Sequence, residues 1–300
     1  MNHVQDNAEE CIRNAITNLT EGKYEYELDN GEFIKVSITI DKINREATID
    51  FSGTAKKNQF NYNAPMAVCH AVILYVFRTL VGNNIPLNEG CFKPLNIIIP
   101  NNSMINAKYP SAVIAGNTEV SQLTCNALFG ALGVIAGSQA TMNNFIWGND
   151  KIQNYETICG GTGAGPDFDG TSAVQTHMTN TRSTDPEVLE TRFPVRLEEF
   201  SIRKNSGGKG KHNGGNGVTR KLRFLEPMIV TTLCSHRRVK PFGVNGGEPG
   251  ECGKEWLEKE NGQTLNLKGN DSCQVKENDL FIMQTPGGGG YGSQSNKPKN

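Results

Sequence analysis

Three hundred residues, 36% hydrophobic and 20% charged with 33 glycines, describe a globular, loop-rich chain of one large domain or two ordinary ones and exclude a disordered or fibrous protein. A formal net charge of −1 gives no overall field that would draw in nucleic acid or an anionic membrane, so neither is an expected partner. The N-terminal MNHVQDNAEECIRNA has acidic residues and no apolar core, which excludes a secretion signal at that point.

In chain order, Val4, Ala8, Cys11, Ile12, Ala15, Ile16 and Leu19 recur at helical spacing and predict an amphipathic helix that stops before Gly22. Asp29-Asn30-Gly31 is a turn signal, and Phe33–Ile40 and Ala47–Phe51 are β-rich, so an antiparallel meander is expected. Asn63-Ala64-Pro65 opens a helix expected to run to about Val81 and stop at Gly82. Its apolar run, Met66 to Phe77, falls well short of the roughly 20 residues a bilayer span needs, so it reads as a core helix. His70 on that helix reads as a core histidine rather than a ligand. Leu95–Ile99 between prolines predicts a buried strand, and Thr118–Ile135 a second buried helix whose small residues allow close packing.

Asn143, Asn144 and Trp147 interrupt an apolar neighbourhood and need partners if buried. Beyond residue 195, short apolar runs alternate with Gly-rich turns, predicting an all-β part, sandwich- or barrel-like, followed by a polar tail at 293–300. The expected class is therefore α+β. Its expected parts are a mixed region over 1–154, a Gly-rich site loop and short helix over 155–194, and a mostly β region over 195–292. The eight cysteines are scattered, with no C-x-x-C pair, which fits reduced cytoplasmic thiols.

The stretch 155–194 concentrates the candidate chemistry. Gly160, Gly161, Gly163, Gly165 and Gly170 lie within eleven residues and are followed by Thr176, His177, Asn180, Asp185 and Glu187. Glycine reaches φ > 0 and lets a ligand or another chain approach the backbone. The stretch therefore reads either as a site lining or as a tight irregular loop. Thr184 and Glu187 fit a capping box with Pro186 in the first turn, predicting a short helix over Ser183–Arg192. Cys159 is either a nucleophile paired with His177 or a buried inert thiol. His177, Asn180 and Asp185 would relay protons, or make a thin metal set short of three good ligands. SGGKGKHNGGNG at 206–217 lacks the phosphate-loop spacing G-x-x-x-x-G-K-[ST], so a nucleotide site is not expected there. Lys209 and Lys211 either meet an anion or are simply solvated.

The strings GGTGAGP, THMTNTRSTDPEVLETRFPVRLEEF, SGGKGKHNGGNGVTRKLRFLEPM and TPGGGGYG closely resemble the C-terminal part of the hydantoinase B/oxoprolinase family. Upstream, HVQDNAEE, IDFSGT, NAPMAV, IPLNEGCFKPLNIIIP and TMNNFIWGN resemble it in the same order, so the likeness covers about residues 1–292, nearest to the 5-oxoprolinases. That resemblance implies an ATP-dependent amidohydrolase that opens the lactam of 5-oxo-L-proline to L-glutamate, or a hydantoin-type ring. It implies that ATP is bound by a partner, the hydantoinase A-type ATPase module, and not by this chain. Family modules are longer and carry an Asn-Asp-Pro-type segment near their start that is absent here. The chain is thus expected to be the C-terminal portion of a B module, with divalent-metal ligands, if the assembly uses a metal, in the N-terminal half.

On chemical grounds, His177 and Asn180 are the candidates to orient the substrate amide or water, with Asp185 or Glu187 assisting. The backbone of Gly160, Gly161, Gly163 and Gly165, with Asp169, Thr176 and Asn143, would bind substrate, the glycine N–H groups receiving the developing oxyanion. The expected partners are the A-type module, the N-terminal half of the B module and a small cyclic amide, in an oligomeric assembly. The competing expectation is a non-catalytic remnant that docks to such an assembly.

Overall fold

The structure, a computed structural model, describes residues 2–82 and 84–296, so positions 297–300 of the expected tail lie outside the described residues. The chain divides into two compact units, Met1–Val134 and Ile135–Asn300.

In the first unit, α1 (Asn2–Thr17) buries Ala8, Ile12 and Ile16, one stripe at a spacing of four. Strands β1 (Gly22–Glu27), β2 (Phe33–Asp41) and β3 (Glu46–Asp50) form the expected antiparallel meander. β4 (Leu95–Ile98) adds to β3 in parallel, at the edge of the sheet. Only Leu95 of β4 is buried, which corrects the expectation of a buried strand: its apolar run was bounded by prolines, which favour edges. α2 (Met66–Thr79) buries Cys69, Val72, Ile73, Val76 and Phe77. The next helix begins as a π-helical turn, Gly116–Val120, and continues as α3 (Ser121–Leu132). It ends on Gly133 at φ +65°, a left-handed stop that glycine takes without steric cost. A Cβ on Gly22 would lie 1.9 Å from the Ala131 carbonyl oxygen, so β1 crosses α3 at backbone contact.

The second unit is a two-sheet sandwich with no closed barrel. Its four-stranded sheet has the order β12-β9-β5-β6, with β5 (Asn144–Gly148), β6 (Gln153–Thr157), β9 (Met228–Leu233) and β12 (Asn270–Val275). The five-stranded sheet has the order β11-β10-β13-β8-β7, with β7 (Val195–Ile202), β8 (Val218–Phe224), β10 (Lys254–Glu258), β11 (Thr264–Leu267) and β13 (Leu280–Gln284). The ladders joining neighbouring strands in both sheets are antiparallel. Alternate residues face inward and interdigitate: Phe145 stacks on Phe281 at 4.6 Å between centroids, and Trp147 meets Phe224 edge-on at 5.9 Å.

The short helix α4 is Pro186–Arg192, and it seats Leu189 in this core. Its N-cap is Asp185, whose Oδ1 accepts from the N–H groups of Glu187 (2.9 Å) and Val188 (3.4 Å). The cap therefore falls one residue later than Thr184. Among the described residues, no helix is long and apolar enough to cross a membrane.

Candidate functional site

Four glycines in a row, Gly287–Gly290, run extended through the second unit outside any strand. Their N–H groups point in turn to the carbonyls of Glu251 (3.1 Å), Gly215 (2.8 Å), Gly137 (2.7 Å) and Glu248 (2.9 Å). The first and fourth reach the same neighbouring segment, so the period is three residues, as in a polyproline II helix, not two as in a strand. The segment at 160–165 packs beside it with the same period: Gly161 N–H donates to Pro286 O (3.1 Å) and Ala164 N–H to Gly289 O (3.0 Å). Gly215 N–H in turn donates to Thr162 O (2.9 Å) and Gly208 N–H to Gly288 O (2.8 Å). The Gly-rich strings at 160–170, 206–217 and 286–290 are thus one backbone bundle.

Such helices have no internal hydrogen bonds and pack backbone to backbone only where no Cβ intervenes. A Cβ on Gly288 would lie 1.8 Å from Thr162 O, on Gly161 2.0 Å from Gly215 O, and on Gly163 1.8 Å from Ala136 O. None of these glycines has a positive φ. They are present for closeness, not for dihedral freedom, which corrects the turn argument made from composition. Of the four glycine N–H groups expected to receive an oxyanion, those of Gly160, Gly161 and Gly165 are engaged by backbone carbonyls. Gly160 N–H is engaged by Val174 O (3.2 Å), Gly161 N–H by Pro286 O, and Gly165 N–H by Phe168 O (3.1 Å).

The other predicted site residues separate by burial. Asn143 is fully buried and its backbone sits at φ +44°. Its Nδ2 donates to Gln139 Oε1 (2.8 Å) and Ile158 O (3.0 Å), and its Oδ1 accepts from Arg237 Nη1 (2.8 Å). Arg237 in turn pairs with buried Glu255 at 2.8 Å. This relay stands behind Gly160, where a Cβ would lie 2.0 Å from Gln139 Oε1. Gln139 is fully buried and its Nε2 has no partner among the described residues.

Val174 pairs with Gly160, Gln175 Nε2 donates to Thr157 O (3.2 Å) and Oγ1 (3.0 Å), and Thr157 meets Thr181 through their hydroxyls. The loop carrying Thr176, His177 and Asn180 is thereby pinned over the end of β6. Thr176 is 2% exposed. His177 adopts φ +45°, uncommon for a non-glycine residue, and its Nε2 is buried. Burial lowers the His177 pKa to about 4, so the ring is neutral at ordinary pH.

Asn180, Asp185 and Glu187 are exposed. Asp185 has the capping work described above, and Glu187 lies in the first turn of the helix, where a carboxylate is favoured by the helix dipole. Asp169 is exposed as well. Its Oδ1 accepts from Asn213 N–H (2.7 Å) and lies 3.6 Å from His212 Nδ1. Cys159 is 8% exposed and burial raises its thiol pKa, partly offset by the nearby Arg220 guanidinium. A buried thiol with a raised pKa fits the inert reading better than the nucleophile. Among the described residues, no three His, Cys, Asp or Glu side chains converge to hold a metal.

Sequence reasoning missed the Gln139–Asn143–Arg237–Glu255 relay. It also missed a second buried pair, Arg220 and Glu156, joined at 2.7 Å between the two sheets. The signal for that pair was present: Arg220 occupies an inward position between Val218 and Leu222 on β8, where an apolar residue is expected.

The hydantoinase B/oxoprolinase family profile matches residues 1–294. This chain belongs to the hydantoinase B/oxoprolinase family. It is 40% identical to the 5-oxoprolinase of Dictyostelium discoideum and 41% identical to 5-oxoprolinase 1 of Arabidopsis thaliana, each over 98% of its length. It spans about 24% of the length of either relative. Among solved structures it superposes on the ATP-dependent caprolactamase from Pseudomonas jessenii with a TM-score of 0.82 at 21% identity, covering 98% of this chain and 55% of that one. Acetone carboxylase in its nucleotide-free state gives 0.84 at 16% identity, covering 97% and 48%. These two likenesses concern the fold.

Proposed function

We propose that this chain is the ring-opening part of an ATP-dependent amidohydrolase that converts 5-oxo-L-proline to L-glutamate, with ATP bound on a separate A-type module. The observation that carries this is collinear 40–41% identity to 5-oxoprolinases across almost the whole chain. The likeness to the caprolactamase, an ATP-dependent enzyme, supports the use of ATP by the assembly.

A lactam amide is unreactive because its nitrogen lone pair is delocalised into the carbonyl. Transfer of a phosphoryl group from ATP to the exocyclic lactam oxygen activates the carbon for attack. One water then adds at that carbon and the C–N bond breaks, the nitrogen leaving as the free amine and the γ-acyl phosphate remaining. A second water hydrolyses the acyl phosphate to the γ-carboxylate and phosphate. The glycine string at 206–217 supports locating the ATP chemistry elsewhere, since Gly208, Gly214 and Gly215 are engaged in the backbone bundle.

Within this chain, the neutral His177, half-buried with its Nε2 fully buried, is assigned to orient the attacking water or the substrate amide. A pKa of about 4 makes it a weak base but a well-placed hydrogen-bonding group. Thr176 and Asn180 flank it. Any divalent-metal ligands are assigned to the part of the polypeptide outside this stretch. The test is glutamate release from 5-oxoproline and ATP by the assembled modules. His177→Ala is expected to lower the rate at least a hundredfold without changing assembly, and an unchanged rate removes the assignment.

A further inference from the structure

The outward face of the four-stranded sheet carries no charge. One row across the strands reads Tyr155, Ile146, Thr231, Ser272 and the next reads Gln153, Gly148, Ile229, Gln274. Within these rows Ile146 is 38% exposed and Ile229 53%. Thr231 and Ser272 hydroxyls bond across β9 and β12 at 3.0 Å, so the polar groups in the middle of the face satisfy each other. An ordinary solvent-facing sheet alternates apolar-in with charged or polar-out. Here the outward positions offer branched aliphatic and neutral side chains that dehydrate at low cost.

At the end of the second row lies a groove of about 670 Å³, floored by Pro227, Met228 and Ile229. Its rim carries Asp150, Glu260 and Glu277 against the single ammonium of Lys276. An apolar floor with an acidic rim fits a segment with aliphatic side chains flanked by lysine or arginine. Four strands about 4.8 Å apart and five residues long present roughly 300 Å², whereas a free-standing complex needs about 800 Å² per partner. The face is too small to hold a second copy of this chain by itself. It suffices for a segment held close by other connections, where the effective concentration is high.

We propose that this face is the seat of a basic-flanked apolar segment from the part of the hydantoinase B/oxoprolinase polypeptide that relatives carry outside this stretch. This rests on the ring-opening reading for the identity of the assembly, not for the surface. The His177 loop is pinned at Thr157, which pairs with Asn144 at the other end of the strands from Gly148 and the groove, so the docked segment would lie away from that loop.

The experiment co-expresses this chain with a tagged remainder of the Dictyostelium discoideum 5-oxoprolinase, the matched stretch deleted, and measures capture without ATP or substrate. The wild-type chain is expected to be captured, and Ile146→Glu/Ile229→Glu to bind at least tenfold more weakly. Glu260→Lys/Glu277→Lys should also weaken capture, and a photo-crosslinker at position 229 should link to a single basic-flanked peptide. Unfolding midpoints matching wild type separate lost docking from lost folding. No capture of the wild-type chain, equal capture of the double variants, or a crosslink to a second copy of this chain would overturn the proposal. Capture without glutamate release in the later assay would remove the activity and leave the surface standing.

Discussion

A methyl group at position 288 probes the backbone bundle most severely. Gly288→Ala places a Cβ 1.8 Å from Thr162 O and 2.8 Å from Gly163 N, where ordinary contacts begin above 3 Å. One of the two segments must move by more than 1 Å. That shift strains Gly288 N–H to Gly215 O and Gly215 N–H to Thr162 O, at 2.8 and 2.9 Å. Overpacking costs about 1–3 kcal/mol, and each weakened buried backbone hydrogen bond about 1–3 kcal/mol more. The expected loss is about 3–9 kcal/mol, a large part of the roughly 5–15 kcal/mol that holds a domain folded. Trp147 and Trp256 both lie in the second unit, so fluorescence-monitored denaturation reads that unit directly. Gly82→Ala is the control, because nothing lies within 4 Å of its Cβ position and its φ is not positive; it lies in the first unit, so its stability is followed by calorimetry rather than by tryptophan fluorescence. It should change stability by less than about 1 kcal/mol. If Gly288→Ala were equally mild, the bundle would not be close-packed and its glycines would need another explanation.

Three further outcomes are expected. Glu156→Ala leaves the Arg220 guanidinium buried and uncompensated and should cost about 3–5 kcal/mol, whereas Glu156→Leu/Arg220→Met should restore most of that. An additive double variant in the same denaturation experiment would contradict the pairing. Asp185→Asn keeps a good N-cap and should leave both stability and ring opening within about twofold, while Asp185→Ala should cost about 1 kcal/mol by calorimetry. A large loss of rate in Asp185→Asn would return that carboxylate to the list of catalytic groups. His177 has a folded pKa of about 4 against 6.5 for the free group, so the unfolded state binds the extra proton. Its contribution is fully present above pH 6.5 and is lost as pH falls toward 4, up to about 3 kcal/mol. Stability measured from pH 7 to 4 should fall less steeply in His177→Gln than in wild type, and parallel slopes would argue against burial of the ring.

Local signals were read correctly where the deciding contacts are local. The stripe Ala8, Ile12, Ile16 gave α1, the Asp29-Asn30-Gly31 turn gave the meander, and Pro186 with acidic neighbours gave α4. The all-β character beyond 195 followed from short apolar runs between turns. The parallel pairing of β4 was not visible, because it joins β3 across an intervening helix and nothing in four residues encodes their partner. The role of the glycine strings was misread for a similar reason. Composition shows that a Cβ is absent at 160, 161, 163 and 165, but not whether φ or space requires it. The answer lies in Gly287–Gly290, far along the chain. Thr184 and Asp185 are both good caps, so choosing between them needed the backbone. The buried relay through Gln139 and Arg237 joins residues that no spacing rule connects.

The most direct test of the functional reading is ATP-dependent glutamate release measured on this chain alone, on the remaining modules alone, and on the two together, with nucleotide binding followed in parallel. The expected result is no nucleotide binding by this chain, no glutamate from either part, and glutamate formed with ATP only when the parts are combined. Tight ATP binding by this chain, or glutamate release by the remaining modules without it, would contradict its assignment as the ring-opening part.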